Sequence, residues 1–327
     1  MRGLFFLWAS FTAMPFDFAH VTSPFRMQPG LRRLPDGAVQ LTPNLRTSRA
    51  MREKVAVLAA FRDQALLVRP GFDAAPALRV LCEHAHREHP QAFEFTADGF
   101  AAAKHLGWSL RDGELVADAD AETDVAPSLS TLPPPWRLPA LLSLAFAEDF
   151  AILDAGDGSV PWMAVCLPSS WAPETKIGRH FAEIHAPVAD NATLLAASDH
   201  LTRLVTGSQR WERFVWTITR HPRLHAHPDR VDPAPWPAEL DADAIAARAY
   251  FRSERQTFIP VPGHGQAVFT IRVDVQPLAE AVTRAGDARA LHDALSTMSD
   301  AVLQYRGLTE VRARLLEWLQ ARIADGR

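Results

Sequence analysis

The spacing of hydrophobic and polar positions changes character near residue 137. Before it, Val55, Leu58, Ala59 and Leu66 recur at helical intervals between Ser48 and Leu67, and Leu78, Leu81 and Ala85 do so in the next segment. Two helices are predicted there. Residues 22–49, rich in Pro, Gly and Arg without a sustained period, read as an arm or loop. Residues 113–136 are acidic and small and end in Pro133, Pro134 and Pro135, which cannot continue a helix or a central strand. That stretch marks the main internal boundary.

Beyond it short strands dominate. SLAFAEDFAIL, a DAGDG turn at 154–158 and PWMAVCL predict a hairpin. RFVWTIT alternates, with Phe214, Trp216 and Ile218 on one side and Arg213, Val215 and Thr217 on the other; AVFTIRVDV alternates through Phe269, Ile271, Val273 and Val275, and YFRSERQTFIPV lies between them. The expectation is α+β: a five-stranded antiparallel sheet with helices on one face. Leu291, Leu295 and Met298, then Val311, Leu315, Leu316 and Leu319, predict a helical end over 281–325. The chain thus divides into an N-terminal arm and helical region at 14–136, a sheet domain at 137–280 and a C-terminal helical region at 281–327.

Composition narrows the partners. With 34 basic and 38 acidic residues, a formal charge of -4 and no long run of either sign, nothing attracts a polyphosphate backbone, so no nucleic-acid partner is expected. Cys82 and Cys166 are too few for a disulfide framework or a four-thiolate metal site and indicate a reducing, cytoplasmic compartment. GLFFLWASFTA after Met1 and Arg2 has the outline of a signal peptide without a small-x-small cleavage site, and it is shorter than the roughly 20 residues that span a bilayer. Met14 is an alternative start that would leave residues 1–13 as an upstream extension, and no membrane segment is expected.

Candidate chemistry lies in the second half. Pro173 suits a first helical turn and Pro187 falls after the end, predicting about three turns over 174–185 with Gly178, Phe181 and His185 on one face. Taken alone, His185 reads as a core or helix-ending histidine. His180 is turned about 140° away from it. His84, His86 and His89, near Cys82, do not share a helical face, and His221, His225 and His227 sit in a proline-interrupted loop without an evident fourth zinc partner. On the strands, Arg213 and the set Arg252, Glu254 and Gln256 alternate at period two, so each set points one way, the simplest reading being a solvated face with cross-strand ion pairs. No Gly-rich phosphate loop, HExxH or nucleophile elbow occurs, and VPGHG at 261–265 is a strand-connecting turn.

Four blocks, LSLAFAEDFAIL (142–153), CLPSSWAPETKIGRHFAEIHAPVAD (166–190), ERFVWTITRHPRLHAHP (212–228) and YFRSERQTFIPVPGHGQAVFTIRVDVQPL (250–278), together resemble the haem-dependent oxidative N-demethylase alpha-subunit family. The resemblance implies a PAS-like haem b scaffold that oxidises a small amine with oxygen, using electrons from separate flavin and iron–sulfur reductase subunits and NADPH. It implies His185 as the iron ligand, Gly178 and Phe181 against the macrocycle, and Lys176 and Trp216 at the cofactor. Cys166 is the rival ligand, since thiolate ligation favours oxygen–oxygen cleavage. Arg213, Arg252, Glu254 and Gln256 would shape the oxygen and substrate pocket, while Lys176, Glu148 and Trp171 also recur as residues that fix local structure. A haem-PAS gas or redox sensor, or a haem carrier, is the other reading. Where the family commonly has Arg-x-Asn-Trp, this chain has Arg213-Phe214-Val215-Trp216, which removes a carboxamide from the implied pocket and points away from dimethylamine as a good substrate.

Overall fold

The computed structural model describes residues 16–326. The five expected strands are present as β7 (Asp149–Asp154), β8 (Ser159–Ala164), β9 (Trp211–Thr219), β10 (Tyr250–Val261) and β11 (Gln266–Pro277), and they lie side by side in the order β9-β10-β11-β7-β8, every pair antiparallel. The sheet is wider than expected, with seven strands. β1 (Arg32–Arg33) adds to the outside of β9 and β2 (Leu66–Val68) to the outside of β8. Leu66 therefore belongs to a strand: the helix Arg49–Ala60 stops when Phe61 leaves helical geometry at φ −138°, and one further turn, Arg62–Ala65, ends where Leu66 takes extended geometry at φ −111°.

Helices cover both faces of the sheet, a correction to the one-sided expectation. On one face Phe150, Ile152, Trp162, Ala164, Ile259 and Val261 share a core with the helices Arg49–Ala60, Ala75–Glu88 and Pro134–Ala145. On the other, Ala151, Leu153, Met163 and Phe258 pack with Ile184 and Val205 from the segment between β8 and β9. This second covering is partial, and it leaves the cavity described below. A further core at the β9–β10 end joins Trp216, Ile218 and Phe251 to the helices Ala285–Ser296 and Arg312–Ala324 through Leu291, Leu295, Leu315 and Leu319.

Two features of the region before residue 137 differ from the sequence expectation. A second, four-stranded sheet, β3 (Phe93–Phe95), β4 (Ala101–Ala103), β5 (Trp108–Arg111) and β6 (Glu114–Ala117), occupies part of it. β5 and β6 turn through Asp112 and Gly113, both at positive φ, the geometry that a two-residue hairpin loop requires. The proline run does not end structure but begins it. Pro133 precedes the helix Pro134–Ala145, and Pro134 and Pro135 occupy the first turn, where the missing N–H has no helical partner to lose. Trp108, Val125, Leu129 and Leu132 share the core of Phe150 and Ile152, so packing is continuous across position 136. The arm is anchored too: the Gln40 amide donates to Thr257 Oγ1 at 2.9 Å and to the Phe258 carbonyl at 3.1 Å.

Lys54, fully buried on the helix Arg49–Ala60, donates to the carbonyls of Phe146 and Glu148 and pairs with Asp149 Oδ1 at 3.1 Å. The other Asp149 oxygen accepts from the Leu167 N–H. Removing the ammonium strands a buried carboxylate, so Lys54→Met is expected to cost about 3–5 kcal/mol in denaturant unfolding; a loss below about 1 kcal/mol would show that the pair is dispensable. Stability is also expected to fall with acid. His105 donates through Nδ1 to the Ala92 carbonyl at 3.1 Å and is held neutral by burial, which lowers its pKa. Protons then bind the unfolded state first, so stability present above about pH 6.5, the ordinary histidine value, is lost as pH falls through it. His105→Asn should lessen the slope of the stability profile between about pH 7 and 5, the buried His185 and His221 accounting for the remainder; an unaltered slope would assign the acid sensitivity to those other histidines.

Candidate functional site

A cavity of about 1100 Å³ lies between the sheet and the segment that follows β8. Its floor is the sheet face carrying Ala151 and Leu153 from β7, Met163 from β8, Arg213 and Val215 from β9, Arg252, Glu254, Gln256 and Phe258 from β10, and Phe269 and Ile271 from β11. Strand alternation explains this set: in register, Arg213 stands opposite Gln256, Val215 opposite Glu254 and Phe258 opposite Phe269, and opposed residues share a face. The roof is Trp171, Lys176, Phe181, Ile184, His185 and Leu194.

The roof is not built as expected. In place of three turns of helix over 174–185 there is a 3-10 turn at Pro173–Thr175, a further turn over 176–178, a bridge from His180 to Ser159, and then the five-residue helix Phe181–His185. Gly178 is the cause. At φ +71° it adopts the left-handed region that L side chains avoid, and its N–H donates to the Val160 carbonyl at 2.8 Å while the Val160 N–H donates to Arg179. The chain thus runs along the start of β8 before turning into helix. Gly178 does not line the cavity and shares no stripe with Phe181 and His185; a Cβ there would meet the Arg69 side chain at 3.4 Å.

Phe181 and His185 do come together, with ring centroids 4.1 Å apart. His185 Nδ1 lies 2.8 Å from the Phe181 carbonyl. A carbonyl only accepts, so Nδ1 carries the proton and Nε2 keeps its lone pair. Burial, aided by the Arg213 and Lys176 charges, lowers the His185 pKa to about 4, so the ring is neutral near pH 7. The Asn191 amide fixes the end of this short helix, donating to the carbonyls of His185 and Ala186. Lys176 donates to the Ile184 carbonyl at 3.2 Å, and burial depresses its pKa.

The polar floor residues divide by what they touch. Arg252, 2% exposed, is bonded throughout: Nε to Ser169 Oγ at 2.8 Å, Nη1 to the Arg223 carbonyl at 2.9 Å, and Nη2 to the carbonyls of Leu224 at 2.8 Å and Pro168 at 3.2 Å. It ties the loop after β8 to the loop after β9. Glu254 accepts from the Gln256 amide at 2.6 Å, and Arg213 presents a buried Nε without a hydrogen-bond partner. Trp216 borders the cavity while its ring packs with Phe251 and under the Arg306 guanidinium.

Cys166 lies elsewhere. It is fully buried in the core shared with the helices Arg49–Ala60, Ala75–Glu88 and Pro134–Ala145, does not line the cavity, and burial with the Asp149 charge raises its thiol pKa, which opposes a thiolate. Nor do the histidine clusters converge. His84, His86 and His89 address Glu88, the Phe93 carbonyl and the Leu41 carbonyl. His225 bonds the Cys166 carbonyl, and His227 uses both ring nitrogens, on Glu174 and on the Asp229 N–H. His221 alone of the loop set borders the cavity, as do Trp236, Tyr305 and Arg306. Trp236, Tyr305 and Arg306 were not found from sequence because no spacing links residues so far apart; Tyr305 and Arg306 reach the cavity only through the docking of the C-terminal region.

A ligand-sized cavity between an antiparallel sheet and a histidine-bearing roof is the form that a small-molecule or cofactor site takes in an α+β protein. Residues 46–316 match the family model described as haem-dependent oxidative N-demethylase, alpha subunit-like, and the chain belongs to that family. The family name indicates haem dependence, an oxidative enzyme and a subunit with a partner. Among the described residues no helix is long and apolar enough to cross a membrane.

The Arg252 fork carries a prediction. Arg252→Lys keeps the charge but cannot reach four acceptors at once, and the stranded groups should cost about 2–4 kcal/mol in denaturant unfolding. A change within about 0.5 kcal/mol would show that the two loops are held by other contacts.

Proposed function

We propose that this chain is the haem-holding subunit of an oxidative amine demethylase. The observation that carries this reading is the His185 ring, fixed through Nδ1 by the Phe181 carbonyl so that a neutral Nε2 is available within a cavity of tetrapyrrole size. The residues present fit the cofactor. Phe181, Ile184, Leu153, Met163, Phe258 and Phe269 offer apolar walls, His185 Nε2 an axial ligand, and Lys176 a cation for a carboxylate. The adjacent strands β9-β10-β11-β7-β8 support a PAS-like scaffold.

Bound haem b supplies the iron centre at which oxygen is reduced. In the net reaction an N-methyl carbon leaves as formaldehyde, one oxygen atom of O2 enters that aldehyde and the other leaves as water, so an electron pair and two protons must be supplied. The sequence holds no dinucleotide-binding glycine pattern, and the electrons are assigned to a separate flavin and iron–sulfur reductase fed by NADPH. Arg213, Glu254 and Gln256 form the polar wall that meets oxygen and substrate; Arg252 acts through the loops it ties. Val215, opposite Glu254, makes that wall less suited to a small, strongly hydrated ammonium such as dimethylamine. The two buried free cysteines accord with a cytoplasmic setting.

His185→Ala is expected to abolish or shift the Soret band of the purified protein while circular dichroism stays unchanged, and Cys166→Ala should leave the band in place. A band that survives in His185→Ala but disappears in Cys166→Ala would transfer the ligand role to the thiol.

A further inference from the structure

Two charges of opposite sign face the cavity from neighbouring strands without pairing. Arg213 is opposite Gln256 and Glu254 is opposite Val215, so the guanidinium and the carboxylate stem from diagonal positions about 7–8 Å apart. Side chains of that length can close such a gap, and Coulomb attraction in a desolvated site favours closing it. Here the gap stays open. Gln256 engages Glu254, Arg213 Nε is buried with no partner, and Glu254 acts on Arg213 only through space. Val215, on the same face between them, offers no polar atom to bridge the two. A buried donor left unmet is costly, and a ligand that meets it recovers that cost.

We infer that Arg213 and Glu254 together receive a zwitterion, the carboxylate of an N-alkyl amino acid lying on the guanidinium and its ammonium on Glu254. The N-alkyl group then lies against the apolar part of the cavity formed by Phe258, Phe269 and Ile271. This substrate class rests on the reading of the chain as an amine-oxidising subunit and deepens it.

The test is isothermal titration calorimetry on the full-length, haem-loaded protein with N-methylglycine, its methyl ester and dimethylamine. N-methylglycine is expected to bind about tenfold or more tightly than the other two, and Arg213→Gln should remove that preference, the size expected for loss of one partner from a buried charge pair. Arg213→Lys, which keeps the charge, should retain part of it, and Glu254→Gln should weaken all three ligands. Equal binding of the ester, or an unaltered preference in Arg213→Gln, overturns the inference. So does a third result, in which Arg213→Gln lowers haem content and leaves ligand preference intact, because the guanidinium then serves a carboxylate of the cofactor. Should the purified protein bind no haem yet still prefer N-methylglycine, the zwitterion site stands and the oxidase reading falls.

Discussion

The molecule is organised around a buried cation. Lys54 has no access to water, and an ammonium in that position is tolerable only if every donor finds an acceptor. Its acceptors are the carbonyls of Phe146 and Glu148 and the Asp149 carboxylate, all at the entry to β7. Asp149 in turn takes the Leu167 N–H at the exit from β8. One side chain from the helical layer thus fixes where the central hairpin begins and where it releases the chain that becomes the cavity roof. Hydrophobic packing alone would not set that position, since apolar contacts are non-directional.

Arg252 repeats the device on the opposite face. Its fork holds the 168–169 and 223–224 loops together, so the two connections that rim the cavity are pinned to the same strand that carries Glu254 and Gln256. Burial lowers its pKa to about 10, still far above neutrality, so the guanidinium stays charged and its bonds to carbonyls are charge-assisted. The contrast with Arg213 follows from partners and not from residue type. One guanidinium has an acceptor for each nitrogen it presents; the other, also on a cavity strand, keeps a buried Nε that meets no hydrogen-bond partner among the described residues.

His185 differs from His227 in what its ring nitrogens meet. His227 engages both and has no lone pair to offer, whereas His185, which lines the cavity, engages Nδ1 alone in a protein hydrogen bond among the described residues. Burial keeps the imidazole neutral against the Phe181 carbonyl bond, which favours the protonated form, and a carbonyl adds no carboxylate charge beside the ring.

By itself the sequence determined what depends on period. Alternation in 213–219, 250–261 and 267–275 specified that Arg213 and Val215 share a face and that Glu254 and Gln256 share one; the register of β9 on β10 made it the same face. The DAGDG and VPGHG turns and the buried stripe of Leu291, Leu295, Leu315 and Leu319 were legible for the same reason. The small sheet was legible in part, since Asp112 and Gly113 are a hairpin signal set among alanines too bland to announce strands. Only the tertiary structure decided the rest. Gly178 is compatible with a helix until β8 offers its backbone a partner; the three prolines are breakers or starters depending on which side the core lies; and Leu66 leaves a helix because β8 has an open edge. Periodicity is a property of neighbours in the chain, whereas the open Arg213–Glu254 gap, the bond to His185 Nδ1 and the approach of Tyr305 and Arg306 arise from side-chain conformation and from contacts across the fold, which no local pattern encodes.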